Sequence, residues 1–169
     1  MSSFVRFKTL SLKMADEIAS HAIQTAQKNS FAPISVCVMD STGFPIVTKR
    51  MDLCPAKAFS SLAEHKANTC ISMAASTRAY GDKYLSATSS PDQFMRLGSQ
   101  IASQKGEVIC FPGGIVIRCA EEGSIIGSVG VSGAAGNEDE YCALQGVYLS
   151  SISKEVVTEP AEHSCTTLK

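Results

Sequence analysis

Ile34-Ser35-Val36-Cys37-Val38-Met39 runs into Asp40-Ser41-Thr42-Gly43 and returns, after Phe44, as Pro45-Ile46-Val47-Thr48-Lys49-Arg50-Met51. The first run is apolar on alternate residues and nearly so throughout, which suits a strand covered on both faces. The middle is turn chemistry: Asp bonds its own backbone and Gly tolerates positive φ. Two strands joined so tightly must be antiparallel.

The elements on either side supply the cover. Upstream, Leu12, Ala15, Ile18, Ala19, Ala22, Ile23 and Ala26 recur at helical spacing, with Ser11 as N-cap and an end at Asn29-Ser30. Downstream, residues 55–77 read as a second helix, with Pro55 in the first turn and Ala56, Phe59, Ala63, Ala67, Cys70 and Ala74 on one stripe. Residues 80–90 read as irregular, and 91–104 as a short helix with Phe94, Leu97 and Ile101 inward. Three strands follow: Glu107–Phe111, Ile115–Cys119 and Ser124–Ser132. A last helix starts at Asn137, with Glu140 three residues on as its capping partner. The order α-β-β-α-α-β-β-β-α predicts an antiparallel sheet with helices on both faces.

The chain has 169 residues, 44% hydrophobic and 18% charged, with a formal net charge of −1. That predicts one packed domain over residues 1–159, with 160–169 as a loose polar tail. Without a basic excess, nucleic acid is not an expected partner. No apolar run approaches the roughly 20 residues that span a bilayer. Residues 1–7 hold no apolar core of signal-peptide length, so a cytoplasmic location is expected. The seven cysteines are widely spaced and odd in number, and they read as reduced core thiols.

Four features point to chemistry. Lys66 lies about 60° from Ala63 around the second helix, inside the stripe's edge, where an ammonium must snorkel out or meet an anion. Asp40, Arg50 and Asp52 stand at the two ends of the hairpin. Pro112-Gly113-Gly114 and Gly127–Gly133 are poor in side chains, and Ser128, Gly130 and Ser132 share one face of a strand. Glu138-Asp139-Glu140 complements a helix dipole. No glycine spacing matches a phosphate loop, so no nucleotide cofactor is expected. His21, at the margin of the first helix, and His65, on the second, are the candidate iron ligands.

Taken in order, Val38–Gly43, Arg50–Asp52, Lys66–Thr69, Pro112–Gly114, Gly127–Gly133 and Glu138–Glu140 resemble the GlcG/HbpS-like haem-binding family, from about Leu10 to Val157. The segment after Asp52, Leu53-Cys54, departs from that family's usual small pair. The resemblance implies a profilin-like three-layer α/β/α fold with a five-stranded antiparallel sheet. It also implies assembly as a homo-oligomer, from dimer to octamer, and haem as the cofactor.

The leading expectation is a small-ligand binding protein for haem or a related tetrapyrrole. Its contacts would be Lys66, Arg50, Gly113, Gly114, Gly130 and Ser132, around a hollow between the second helix and the glycine-bearing strand. The alternative is a cofactor-independent isomerase or lyase on a small carboxylate or carbonyl metabolite. There Lys66 and Arg50 would orient substrate while Asp40 or Glu138 moves a proton. A purely structural oligomer is the third reading.

Overall fold

The computed structural model describes residues 7–168; the expectation for the N-terminal segment falls almost wholly outside them. Five helices and five strands form in the order α1 (Leu12–Lys28), β1 (Ser35–Asp40), β2 (Pro45–Arg50), α2 (Lys57–Met73), α3 (Thr77–Leu85), α4 (Pro91–Ser103), β3 (Gly114–Cys119), β4 (Ile125–Ser132), α5 (Gly136–Tyr148) and β5 (Val156–Glu159). The strands make one antiparallel sheet, β2-β1-β4-β3-β5.

Pleat alternation divides the core. Val36, Val38, Val129 and Val131 point to the side of α1 and α5, where they meet Ala15, Ile18, Ala19, Ala22, Ala143 and Leu144. Cys37 and Met39 point to the other side and meet Ala63 and Ala67 of α2. Alanine at these helix positions lets each helix axis come close to the sheet. Ser11 caps α1 by accepting from the Met14 amide at 3.4 Å. Among the described residues, no helix is long and apolar enough to cross a membrane.

Four local expectations need correction. Glu107–Phe111 is not a strand: the Ile109 amide donates to Thr69 Oγ1 of α2 at 2.8 Å, which takes it out of the sheet's ladder. The fifth strand is Val156–Glu159, paired with β3 at the sheet edge from Cys119↔Val156 to Val116↔Glu159. Residues 80–90 are partly helical because α3 starts at Thr77; Ser76 Oγ accepts from the Ala79 amide, and Tyr80 and Tyr84, four apart, bury edge-to-face rings 5.6 Å apart. α5 begins at Gly136, one residue before the expected Asn137, and its capping pair is displaced by two: Glu138 accepts from the Ala135 amide, in place of Glu140 with Asn137.

The segment after Pro160 has no regular structure, yet its side chains engage the domain. Thr167 Oγ1 donates to Glu138 Oε1 at 2.7 Å, Cys165 is buried, and the His163 ring stands edge-on to Tyr141.

Candidate functional site

Where α2 crosses the end of β4, the charged residues of the sequence motifs meet. Lys66 is 4% exposed, and its Nζ donates to Asp139 Oδ2 at 2.9 Å and to the Val131 carbonyl at 2.8 Å. Asp139 is equally covered, and its second oxygen accepts from the Ala134 amide at 3.0 Å. Burial pushes the Asp139 carboxyl up to about 6, and the Lys66 ammonium opposes that rise. Beside it, Glu140, fully buried, takes Arg78 Nε at 2.9 Å, and the Arg78 fork also reaches Asn137. Two ion pairs thus tie α2 and α3 to the first turn of α5.

Asp139 and Glu140 were read only as complements to a helix dipole, and Arg78 was not singled out. A signal for Glu140 was present: it precedes Leu144 by one turn of the inward stripe, so its carboxylate had to be buried and partnered. Nothing local marks Arg78.

The expected hollow above Gly130 does not exist. A Cβ on Gly130 would lie 2.0 Å from the Ala63 carbonyl oxygen and 2.6 Å from the Ala67 nitrogen. Ser128 Oγ donates to the Ala67 carbonyl at 2.9 Å, and Ser132 is buried in register with Ser35. The small residues of β4 seat the backbone of α2, and no guest fits between them. Gly113 and Gly114 behave likewise. At Gly113 (φ +122°) a side chain would meet Lys66 Nζ and the Val131 oxygen at 2.7 Å; at Gly114 it would meet Thr77 Cγ2 at 2.6 Å. These glycines give the ion pair its room.

The remaining candidates scatter. Arg50 stands at the same end of the sheet as Lys66 but donates to the Cys54 carbonyl at 3.0 Å. Asp40 is four residues along β1 from Val36, the partner of Val131, so it sits roughly 13 Å from the ion pair along the strand. Its Oδ1 accepts from Thr42 N, Thr42 Oγ1 and Phe44 N, and those bonds hold its carboxyl below the usual range against partial desolvation. Glu138 is occupied by the Ala135 amide and Thr167. Lys66, Arg50, Asp40 and Glu138 therefore do not converge on one reacting centre.

Of the histidines, His65 borders a cavity of only about 160 Å³ with Met39, Glu64 and Asn68, below the several hundred Å³ that a drug-sized ligand fills. His21 is half-buried on α1, with Nδ1 3.2 Å from Gln24 Oε1. With Gln24 Oε1 as the acceptor, the neutral ring carries its proton on Nδ1, and among the described residues Nε2 has no hydrogen-bond partner. Lys28 lies seven residues on, on the same helix face and about 10 Å along the axis. Thr25 and Lys28, but not His21, border a hollow of about 210 Å³ with Leu149 and Leu168, both exposed; like the His65 cavity it is too small to enclose a drug-sized ligand, so a ligand there would lie against the surface. One imidazole nitrogen, a cation and bare leucines suit an iron-bearing, flat, apolar carboxylate held at the surface. Among the described residues, no three His, Cys, Asp or Glu side chains cluster to hold a bare metal ion.

Comparison with solved structures returns the same fold. The PduOC:haem complex matches at 25% identity, covering 85% of this chain and 96% of that one, with a TM-score of 0.72. HbpS matches at 24% identity, covering 87% and 94%, with a TM-score of 0.70. The Klebsiella pneumoniae protein ORFY matches at 22%, covering 86% and 93%, with a TM-score of 0.73. No curated protein sequence matches the chain. The model of the haem-degrading, HbpS-like proteins matches residues 10–148, nearly the whole folded unit, and the chain belongs to that family.

Proposed function

We propose that this protein binds haem or a related tetrapyrrole on the outer face of α1, with His21 as the residue that meets the iron. The observation that carries this reading is the His21 imidazole, half-exposed, with Nδ1 held by Gln24 and Nε2 without a partner among the described residues. Lys28 would face a propionate, and Leu149 and Leu168 the apolar edge of the ring. Haem, when bound, supplies a redox-active iron within a flat apolar plane. The chain's own part is to orient one nitrogen and shield one edge. The family and the haem-bound PduOC structure support the choice of ligand.

A site open on one side is completed by a second surface. The reading therefore includes a homo-oligomer, and exposed Phe44, Leu53 and Phe111 suit contacts between copies. Seven free cysteines suit a reducing compartment, such as cytoplasm.

Titration of the purified protein with haemin is expected to give a sharp Soret band that saturates near one haem per chain or per pair of chains. His21→Ala should weaken binding by about tenfold or more, the scale on which losing one metal contact is felt, while His65→Ala leaves it unchanged. A Soret band of unchanged position and affinity in His21→Ala would refute the assignment.

A further inference from the structure

A cavity of about 420 Å³ opens at the other end of α1, between the approach to that helix, the β3–β4 turn and the segment entering β5. Met14, Ile126, Ile152 and Val156 make its walls aliphatic. It contains neither His21 nor any other residue assigned above to haem. Cys119, the last residue of β3, lines it, and so does Lys8. Lys8 Nζ stands 3.5 Å from Cys119 Sγ and is held there by Glu122 at 2.9 Å and Glu121 at 3.2 Å. The turn that follows is tight: Gly123 N donates to the Cys119 carbonyl at 2.8 Å, and Cys119 N donates to Ser124 O at 2.9 Å. A soft, polarisable atom with a paired ammonium beside it, in a cavity whose aliphatic walls are edged by Thr9, Glu121, Lys154 and Glu155, is an arrangement that packing alone does not require.

We propose that this cavity is a covalent binding site for small apolar electrophiles of the conjugated-carbonyl class, with Cys119 as the nucleophile and Lys8 as the residue that positions and polarises it.

In the reaction, the sulfur of the Cys119 thiolate forms a bond to the β-carbon of an enal or enone. The π pair of the C=C bond moves toward the carbonyl as an enolate. The α-carbon then takes a proton, from water or from the Lys8 ammonium, which water restores. Nothing leaves and nothing is oxidised. The aliphatic walls favour a neutral reagent with an apolar tail. Glu121 and Glu155 in the lining, with Glu122 paired to Lys8 beside it, disfavour an anionic one, and Lys8 and Lys154 are the cations of the lining. Cys119 is itself only 7% exposed, and it is reached through the cavity it lines; Cys37, Cys70 and Cys142 are fully buried, and burial pushes them up, as it does Cys54 and Cys110. The Cys119 thiol is lowered, first by the Glu122 and Glu121 amides and then by Lys8.

The test treats the native full chain with trans-2-hexenal and follows each cysteine by peptide mass spectrometry. Cys119 should gain the adduct about tenfold faster than any other cysteine, through its larger thiolate fraction. Lys8→Met should slow that rate by several fold and move its pH midpoint upward, and neutral iodoacetamide should outrun iodoacetate at Cys119. Cys119→Ser should abolish the fast phase. Equal or faster labelling of Cys110 or Cys165, a fast phase that survives Cys119→Ser, or a Lys8→Met rate and pH profile unchanged from the parent would each overturn the proposal.

Discussion

Lys66→Met is expected to lower the stability of the domain by about 3–5 kcal/mol at pH 8, the usual cost of leaving one member of a buried pair alone. Lys66 and Asp139 are 4% and 2% exposed, so water cannot take the ammonium's place. The loss should depend on pH. Asp139 sits at about 6 in the folded chain, above its ordinary value of 3.8. The folded state therefore holds this proton more tightly than the unfolded state does. A carboxyl raised in this way contributes stability that is fully present below about pH 4 and is lost as pH climbs through about 6. Without Lys66 the opposing influence is gone and Asp139 stays protonated to higher pH. The variant should thus recover part of its loss near pH 4, at most about 2.7 kcal/mol for one proton over the two pH units from 6 to 8, and fall away above pH 6. Urea unfolding at both pH values checks this. Lys66→Met combined with Asp139→Leu should recover most of the loss at pH 8, because no lone charge remains. A single variant as stable as the parent at pH 8 would show that the pair does not hold α2 to α5.

Gly130→Ala is the second large effect. The added methyl would lie 2.0 Å from the Ala63 carbonyl oxygen, which is helix backbone and cannot swing aside. Either α2 lifts from the sheet, opening the contacts of Ala63 and Ala67 with Cys37 and Met39, or β4 bends. Overpacking of this kind costs about 3 kcal/mol. Gly98→Ala in α4 is the matched control: nothing lies within 4 Å of its added methyl, and removing a helix-interior glycine should stabilise the domain by about 0.5–1 kcal/mol. Thermal unfolding of the two variants should therefore move in opposite directions.

The fold was legible because its signals are periodic. Alternation in β1, the Asp40–Gly43 turn and the helical stripes of α1 and α2 each needed only neighbours in sequence. β5 escaped because four residues, Val156–Glu159, carry too short a pattern to separate from a loop, and its pairing with β3 is a tertiary fact. Glu107–Phe111 misled for the opposite reason: its run is strand-like, but Thr69 takes the Ile109 amide that a ladder would need.

The site was legible in its residues and not in its geometry. Lys66 was expected either to snorkel out or to meet an anion; it meets Asp139 of the same chain rather than a ligand. Gly113, Gly114 and Gly130 mark close approach, as glycines in strands do, but what approaches is backbone and the Lys66 side chain. A sequence does not say whether a space left by missing side chains is filled by a helix or by a guest. That difference moves the proposed binding surface from the face of α2 to the outer face of α1.

An anomalous-difference map at the iron edge, from crystals grown with haemin, tests that placement most directly. One iron peak at bonding distance from His21 Nε2, with α2 still seated on Gly130, is the expected result. An iron peak beside any other side chain, or a tetrapyrrole wedged between α2 and β4, would contradict it.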